Sequence, residues 1–434
     1  MAAALPHLLD LQAYNVDSTT GFIPSTPPLR ALPAYFAAWD ELAAQLPQLI
    51  NTGALRAKVA GLELLDASRL HGTEELRRGF VVLGFLVHGY VWCGDVDDGG
   101  GRQGTAGKEG VTVPAQLAEP YLLVCKRLGL EGRETLSYAG LCMWNWGFRA
   151  GETGEREGVP ELEEMVSLVT FTGTRDEEVF YLVPVLVEME GGKLPRRLVE
   201  GIAAAVEGDW GLLCEVLAEA RVALERMQGH MKKLHEQCDP ILFYGRVRPF
   251  LAGGKESVGG GWTFEMADGS REWRSCIGGS AAQCSTFPAI DRLLGVKHES
   301  RGEGLSVFDE MREYMCGCYR DFLSALDGLP SVGDLVESSG DGELLESYNA
   351  VLEELARWRS KHIGVVTTHI VSQARKNMKD TVPAEEVTEG LSVKDETELQ
   401  GTGGTALIPF LKGSRKDTEA ARKEHTEVSA SAHL

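Results

Sequence analysis

Positive charge is scarce in this chain: 43 Lys and Arg stand against 64 Asp and Glu, for a formal net charge of −21. No dense basic cluster offsets that balance. Phosphate backbones and anionic membrane surfaces are therefore repelled, which excludes nucleic acid and membrane as partners. Long apolar runs are also missing. The longest, residues 80–93, is too short and too often broken by glycine to span a bilayer. Nine cysteines are scattered singly apart from Cys316 and Cys318, with no CxxC pair. That excludes a disulfide scaffold and structural zinc, and it points to free thiols in a reducing compartment. The first residues, MAAALPHLLDLQAYNVD, lack a basic flank and are interrupted by Pro6 and Asp10, so no signal peptide is expected and the location is read as cytoplasmic. No GxSxG, HExxH or iron–sulfur cysteine framework occurs, and hydrolase and Fe–S chemistry lose for want of residues.

What is there is helix. Helical patterning covers 33–46, 74–92, 114–128, 134–146, 195–206, 212–235, 281–294 and 305–326, without internal repeat or βαβ alternation, so the class is mainly α. The stretch 256–274 is Gly-rich and irregular, 161–171 is ambiguous, and 180–189 is a short apolar run before a Gly-Gly break. The polar loop 147–158 is a candidate boundary between a small N-terminal helical domain, 10–160, and a large C-terminal helical domain, 161–425. Within the second, 376–400 is charged and poor in aromatics and reads as a mobile loop.

The longest pattern, residues 348–375, places Tyr348, Val351, Leu352, Leu355, Trp358, Val365 and Val366 on one face, with Glu353 and Glu354 opposite. His362 falls on the apolar face, with Arg359 one turn before it and Gly364 just after. A neutral imidazole there suits an axial ligand to a metal or haem iron, but a lone histidine on such a face is more often a hydrogen-bonded core residue. Periodicity leaves both readings open. His88 and His369 are rival ligands on helical geometry alone, whereas His230 and His235 lie on a polar face and read as solvated. The run 278–283, GGSAAQ, is either an ordinary helix-opening turn or a place where backbone approaches a flat, bulky ligand. The glycine run 401–405, GTGGT, lacks the preceding strand and the spacing of a dinucleotide loop, and a lid over a site is the better reading.

Seven blocks, in order, resemble the indoleamine 2,3-dioxygenase family: GYVW (89–92), LSYAGLCMWNW (136–146), FYLVPVLVE (180–188), HEQCDPILFYGRVRPFL (235–251), GGSAAQCSTFPAIDRLLG (278–295), RWRSKHIGVVTTHI (357–370) and GTGGTALIPFLK (401–412). The resemblance spans roughly 9–422. It implies an all-α, two-domain haem dioxygenase that adds both atoms of O2 across the indole C2–C3 bond of L-tryptophan to give N-formylkynurenine, the first step of the kynurenine route. The cofactor it implies is haem b, with an unidentified electron donor keeping the iron ferrous, in a monomer.

Matched residue by residue, the resemblance makes His362 the proximal iron ligand, supported by Arg359 and Asp291. It gives Arg248 to the substrate carboxylate, for which a guanidinium fork is suited. Tyr138, Phe180 and Phe243 become pocket walls, Cys142 a neighbour of that wall, Ser280 and Ala281 small residues near haem and substrate, and Thr402 a lid contact. It assigns no protein acid or base. Pro184 stands where the mammalian enzymes have a serine, Tyr244 where they have a second phenylalanine, and Ala252 where they have another serine. Those departures keep alternatives in play: a low-affinity paralogue acting on another indoleamine, or a haem-binding protein with decayed activity. A non-haem structural or interaction protein requires His362 to be a plain core residue.

Overall fold

The computed structural model describes residues 9–96, 102–103, 110–149, 158–257, 259–298, 306–381 and 407–424. Three short helices, α1 (Ala37–Ala44), α2 (Leu46–Asn51) and α3 (Leu55–Ala60), pack around α4 (Gly72–Trp92). Almost every residue of α4 from Leu76 to Gly89 is buried, so this helix is apolar all round and interior. Gly84 lets it pack closely, because a Cβ there would sit 2.8 Å from Leu136 Cδ1. No helix among the described residues is long and apolar enough to cross a membrane.

The chain continues through the short strand pair β1 (Asp95–Val96) and β2 (Arg102–Gln103), then β3 (Val111–Val113), α5 (Ala115–Arg127), β4 (Trp146–Phe148) and β5 (Met165–Ser167). Residues 150–157 of the loop 147–158, where the domain boundary is expected, lie outside the described residues. Three helices follow: α6 (Arg175–Gly191), α7 (Leu194–Val206) and α8 (Trp210–Gln237). A single turn, α9 (Pro240–Leu242), runs into a π turn at Phe243–Val247 and a 3-10 turn at Arg248–Leu251. Strands β6 (Trp262–Glu265) and β7 (Arg271–Arg274) form an antiparallel pair with β3 parallel alongside β6.

The last part holds α10 (Thr286–Leu294), α11 (Val307–Arg312), α12 (Gly317–Leu326), α13 (Val332–Ser339), α14 (Gly342–Val366), α15 (Ser372–Thr381) and α16 (Leu407–Ala420). α14 packs on α8 and α16, and α8 also packs on α6 and α7. These five helices are the frame of the site.

The structure corrects several expectations. Residues 134–146 hold only a π turn at Ala139–Met143, because Asn145 turns its amide to backbone groups of Val169 and Leu141 instead of continuing a helix. The apolar run 180–189 is not a short isolated piece but the body of α6, with Thr174 capping its start at the amide of Glu177. The irregular stretch 256–274 contains β6 and β7. The pattern 305–326 is broken at Cys316 into α11 and α12. Glu354 does not face solvent: it is 7% exposed and accepts a 2.9 Å bond from Gln228 on α8. Residues 376–381 continue α15 rather than opening a loop, and the rest of the expected loop lies outside the described residues.

Candidate functional site

A large cavity, about 1690 Å3 with the open solvent at its mouth included, lies between α6, α8, α14, α16 and the 278–288 segment. His362 lines it from α14. Two aromatic rings set the imidazole's pose: Trp358 lies parallel to it at 5.5 Å and is itself stacked on Phe287 at 3.9 Å. Burial, with the Arg359 charge adding to it, pushes the His362 pKa down to about 4, so the ring is neutral near pH 7. Neither ring nitrogen is hydrogen-bonded to a described residue.

The rival histidines differ on this point. His88 has Nδ1 2.9 Å from the Phe250 carbonyl, and its Nε2 accepts from the Leu136 amide at 2.9 Å. His369 also lines the cavity, but its nitrogens lie 3.1 Å from the Val365 carbonyl and 3.2 Å from that of Cys238. Both are engaged by backbone, as core histidines are. A neutral imidazole with no hydrogen-bond partner among the described residues, facing a large and mostly apolar cavity, fits an axial iron ligand, so the residues present fit a haem. His230 is only 18% exposed, 3.7 Å from Glu190, which corrects its expected solvation; His235 is exposed.

Behind His362, Arg359 Nη2 reaches both oxygens of Asp291 at 2.6 and 2.7 Å, and Nη1 donates to the Ser414 carbonyl at 3.2 Å. His298 extends the chain, with Nε2 2.9 Å from Asp291 and Nδ1 3.1 Å from Asp417. Burial pushes the Asp291 carboxyl up, but the Arg359 charge and the His298 bond outweigh it and hold the group below its ordinary value. This network joins α10, α14 and α16. A Cβ on Gly364 would meet nothing within 4 Å, so no protein neighbour requires its smallness.

On the other side, Phe180 of α6 and Phe243 of the π turn meet with ring centroids 4.1 Å apart, and both line the cavity. Pro184, one turn along α6, lines it too and brings no hydroxyl. Arg248, brought round by the turn after Phe243, lines the cavity, and its guanidinium lies 5.4 Å over the Tyr244 ring. Tyr244 itself is not a lining residue. Near Arg248, burial drives Glu256 up to about 7, with the arginine opposing.

Tyr138 lines the cavity and donates its hydroxyl to Glu188 at 3.0 Å, while its amide donates to Gln283 Oε1 at 3.0 Å. Ser280 and Ala281 line the cavity, with Ser280 and Gln283 forming a capping box. The glycines before them have a packing reason of their own. A Cβ on Gly278 would sit 2.1 Å from the Leu251 carbonyl, and one on Gly279 2.4 Å from Leu141 Cδ1, so protein packing already demands them. Cys142 is buried but not on the cavity wall, and the Ala252 carbonyl accepts from the Trp92 indole at 2.9 Å. Thr402 lies outside the described residues.

Sequence reasoning missed Glu188, Gln283, His298 and Glu256. Glu188 left a signal, as the one carboxylate inside the apolar run 180–189. It is fully buried, receives Tyr138, and also receives Thr286 in a short hydrogen bond. Burial raises its pKa, with those donors opposing.

Comparison with known proteins places nearly the whole chain in one family. The family model described as indoleamine 2,3-dioxygenase matches residues 10–421. A 6-hydroxytryptophan 2,3-dioxygenase of Fusarium equiseti is 34% identical over 418 residues, covering 94% of this chain and 97% of that one. Human indoleamine 2,3-dioxygenase 2 is 32% identical, covering 94% and 95%. The indoleamine 2,3-dioxygenase of Saccharomyces cerevisiae is 31% identical, covering 94% and 93%.

Proposed function

The chain belongs to the indoleamine 2,3-dioxygenase family, a haem-dependent dioxygenase class, and from that premise we propose the roles of its residues and its substrate. His362 holds the iron of haem b, and Arg359 and Asp291 fix the segment that carries it. When bound, ferrous haem supplies the activation of dioxygen, and that chemistry belongs to the cofactor. The chain's own contribution is placement. Phe180 and Phe243 form an aromatic wall against which an indole ring packs, and Tyr138, locked by Glu188, bounds the adjacent side. Arg248 at the same cavity binds an amino-acid carboxylate through paired hydrogen bonds. Holding ring and carboxylate together fixes the indole C2–C3 bond in one place and excludes water from it. Pro184 offers no proton and the Tyr138 hydroxyl is committed to Glu188, so we assign no general acid or base to the chain.

The reaction this supports is oxidative opening of the indole of L-tryptophan to N-formylkynurenine. The observation that carries it is one cavity bearing an unpartnered neutral histidine, an aromatic pair and an arginine. A ring-hydroxylated tryptophan is the second reading, favoured by the name of the Fusarium relative. We further propose a cytoplasmic monomer of two helical units divided near residue 160, placed in the kynurenine route and fed by an external electron donor. Support for these comes from the acidic composition, the polar loop at 147–158 and the family resemblance.

The test is a substrate panel on the reduced, haem-loaded protein: L-tryptophan, 6-hydroxytryptophan, and tryptamine, which lacks the carboxylate. Either amino acid should be consumed with kcat/KM at least about tenfold above tryptamine, the worth of a lost charged hydrogen bond. Equal kcat/KM for tryptamine would remove Arg248 from its role.

A further inference from the structure

Away from the cavity, the break between α11 and α12 brings two thiols together. Cys316 and Cys318, separated by Gly317, have their sulfurs 3.3 Å apart. Cys316 is 6% exposed, whereas Cys318 is partly exposed. The segment is anchored on the end of α5. The Gly317 amide donates to the Leu128 carbonyl at 3.0 Å, and the Cys316 thiol points to that same carbonyl at 3.4 Å. Cys316 is the N-cap of α12, so Cys318 sits in the helix's first turn, where partial positive charge favours an anion. Arg77 lies beside the pair, bonding to the neighbouring Tyr319 hydroxyl at 3.1 Å.

We propose that Cys316–Gly317–Cys318 is a redox-active dithiol that exchanges with low-molecular-weight disulfides of the glutathione class. The two sulfurs have unequal roles. The Cys316 sulfur beside it holds Cys318 down to about 7, with burial working against it and Asn15 and Arg77 adding to it. Cys318 is thus both the more accessible sulfur and the one that forms thiolate near neutral pH, and thiolate is the nucleophile in exchange.

The Cys318 thiolate attacks one sulfur of the small disulfide, forming a mixed disulfide and expelling one small thiolate. Cys316 then gives up its proton and attacks the Cys318 sulfur, closing the internal bond and expelling the second small thiolate, which takes that proton. Two electrons leave the cysteine pair and reduce one small disulfide to two thiols. Closure needs the sulfurs to approach from 3.3 Å to about 2.05 Å. The intervening glycine carries no side chain to resist that turn.

The sequence makes the test direct. Tryptic cleavage after Arg312 and Arg320 releases Glu313–Arg320, EYMCGCYR, which holds both cysteines and no other. The full-length, haem-loaded protein is equilibrated in glutathione–glutathione disulfide mixtures, acid-quenched, alkylated and digested. The peptide should appear two hydrogens lighter and unalkylated as the disulfide fraction rises, and return to the doubly alkylated form with excess glutathione. A peptide doubly alkylated throughout, or one stalled as a glutathione adduct without the ring, would overturn the proposal. Cys316→Ser should trap the glutathione adduct on Cys318, and an unreacted Cys318 in that variant would contradict its role as nucleophile. Cys318→Ser should react at least about tenfold more slowly than the wild type; an equal rate would also reject the assignment. The wild-type peptide keeps the proposal testable if either variant fails to fold.

Discussion

Burial pushes both His88 and His362 down to about 4, with the Arg359 charge adding to it at His362, yet of the two only His88 has its nitrogens engaged by backbone. Two predictions follow at this scale. His362→Ala should lose the Soret absorption of the haem-loaded protein, whereas His369→Ala should keep it. Equal haem content in the two variants would remove the iron from His362. For His88, the folded value lies below the unfolded value of 6.5, so the unfolded chain binds the extra proton and stability is fully present only above 6.5. It is lost as pH falls from there through about 4, a loss of roughly 3 kcal/mol from this group. Urea unfolding between pH 7 and pH 4.5 should show that slope, and His88→Gln should flatten it. An unchanged slope in the variant would contradict the assignment.

At the scale of elements, α6 is the best example of what was and was not legible. Phe180 and Pro184 could be placed in the pocket from their block alone, but a short apolar run gives no period long enough to separate helix from strand. Glu188 was legible only as an anomaly, because its partners, Tyr138 and Thr286, lie 50 and 98 residues away in the chain. His298 was invisible for the same reason, since nothing local announces that it joins Asp291 to Asp417. By contrast, α14 was readable almost in full, its uninterrupted stripe ending where the π turn at Thr367–Val371 begins. Glu188→Ala should strip two buried hydroxyls of their acceptor and destabilise the fold by roughly 2–4 kcal/mol. Denaturant unfolding at neutral pH checks this, and a loss under about 1 kcal/mol would show that the hydroxyls find other partners.

At the scale of the whole molecule, α16 closes the structure over the proximal side. Its Ser414 carbonyl takes Arg359, its Asp417 takes His298, and beyond it Lys423 bonds with Asn349 of α14. Asp291 and Arg359 are both nearly fully buried, so removing either leaves an uncompensated charge. Asp291→Ala should therefore cost about 3–5 kcal/mol and loosen α16 together with the haem. Hydrogen exchange of α16 in the variant reads this directly, and unchanged protection there would show that the network does not hold the helix. The acidic composition, the helical frame and the large cavity all describe one enzyme of this family. Local features sit on that frame: Pro184 on the cavity wall, Tyr244 beneath the Arg248 guanidinium, and the Cys316–Cys318 pair outside the cavity.

The most direct test of the account is the mass of the product formed by the reduced, haem-loaded protein from L-tryptophan under isotopically labelled dioxygen. Two labelled atoms in N-formylkynurenine are predicted. A product carrying one labelled atom, or no product from either L-tryptophan or 6-hydroxytryptophan despite a normal haem spectrum, would contradict it.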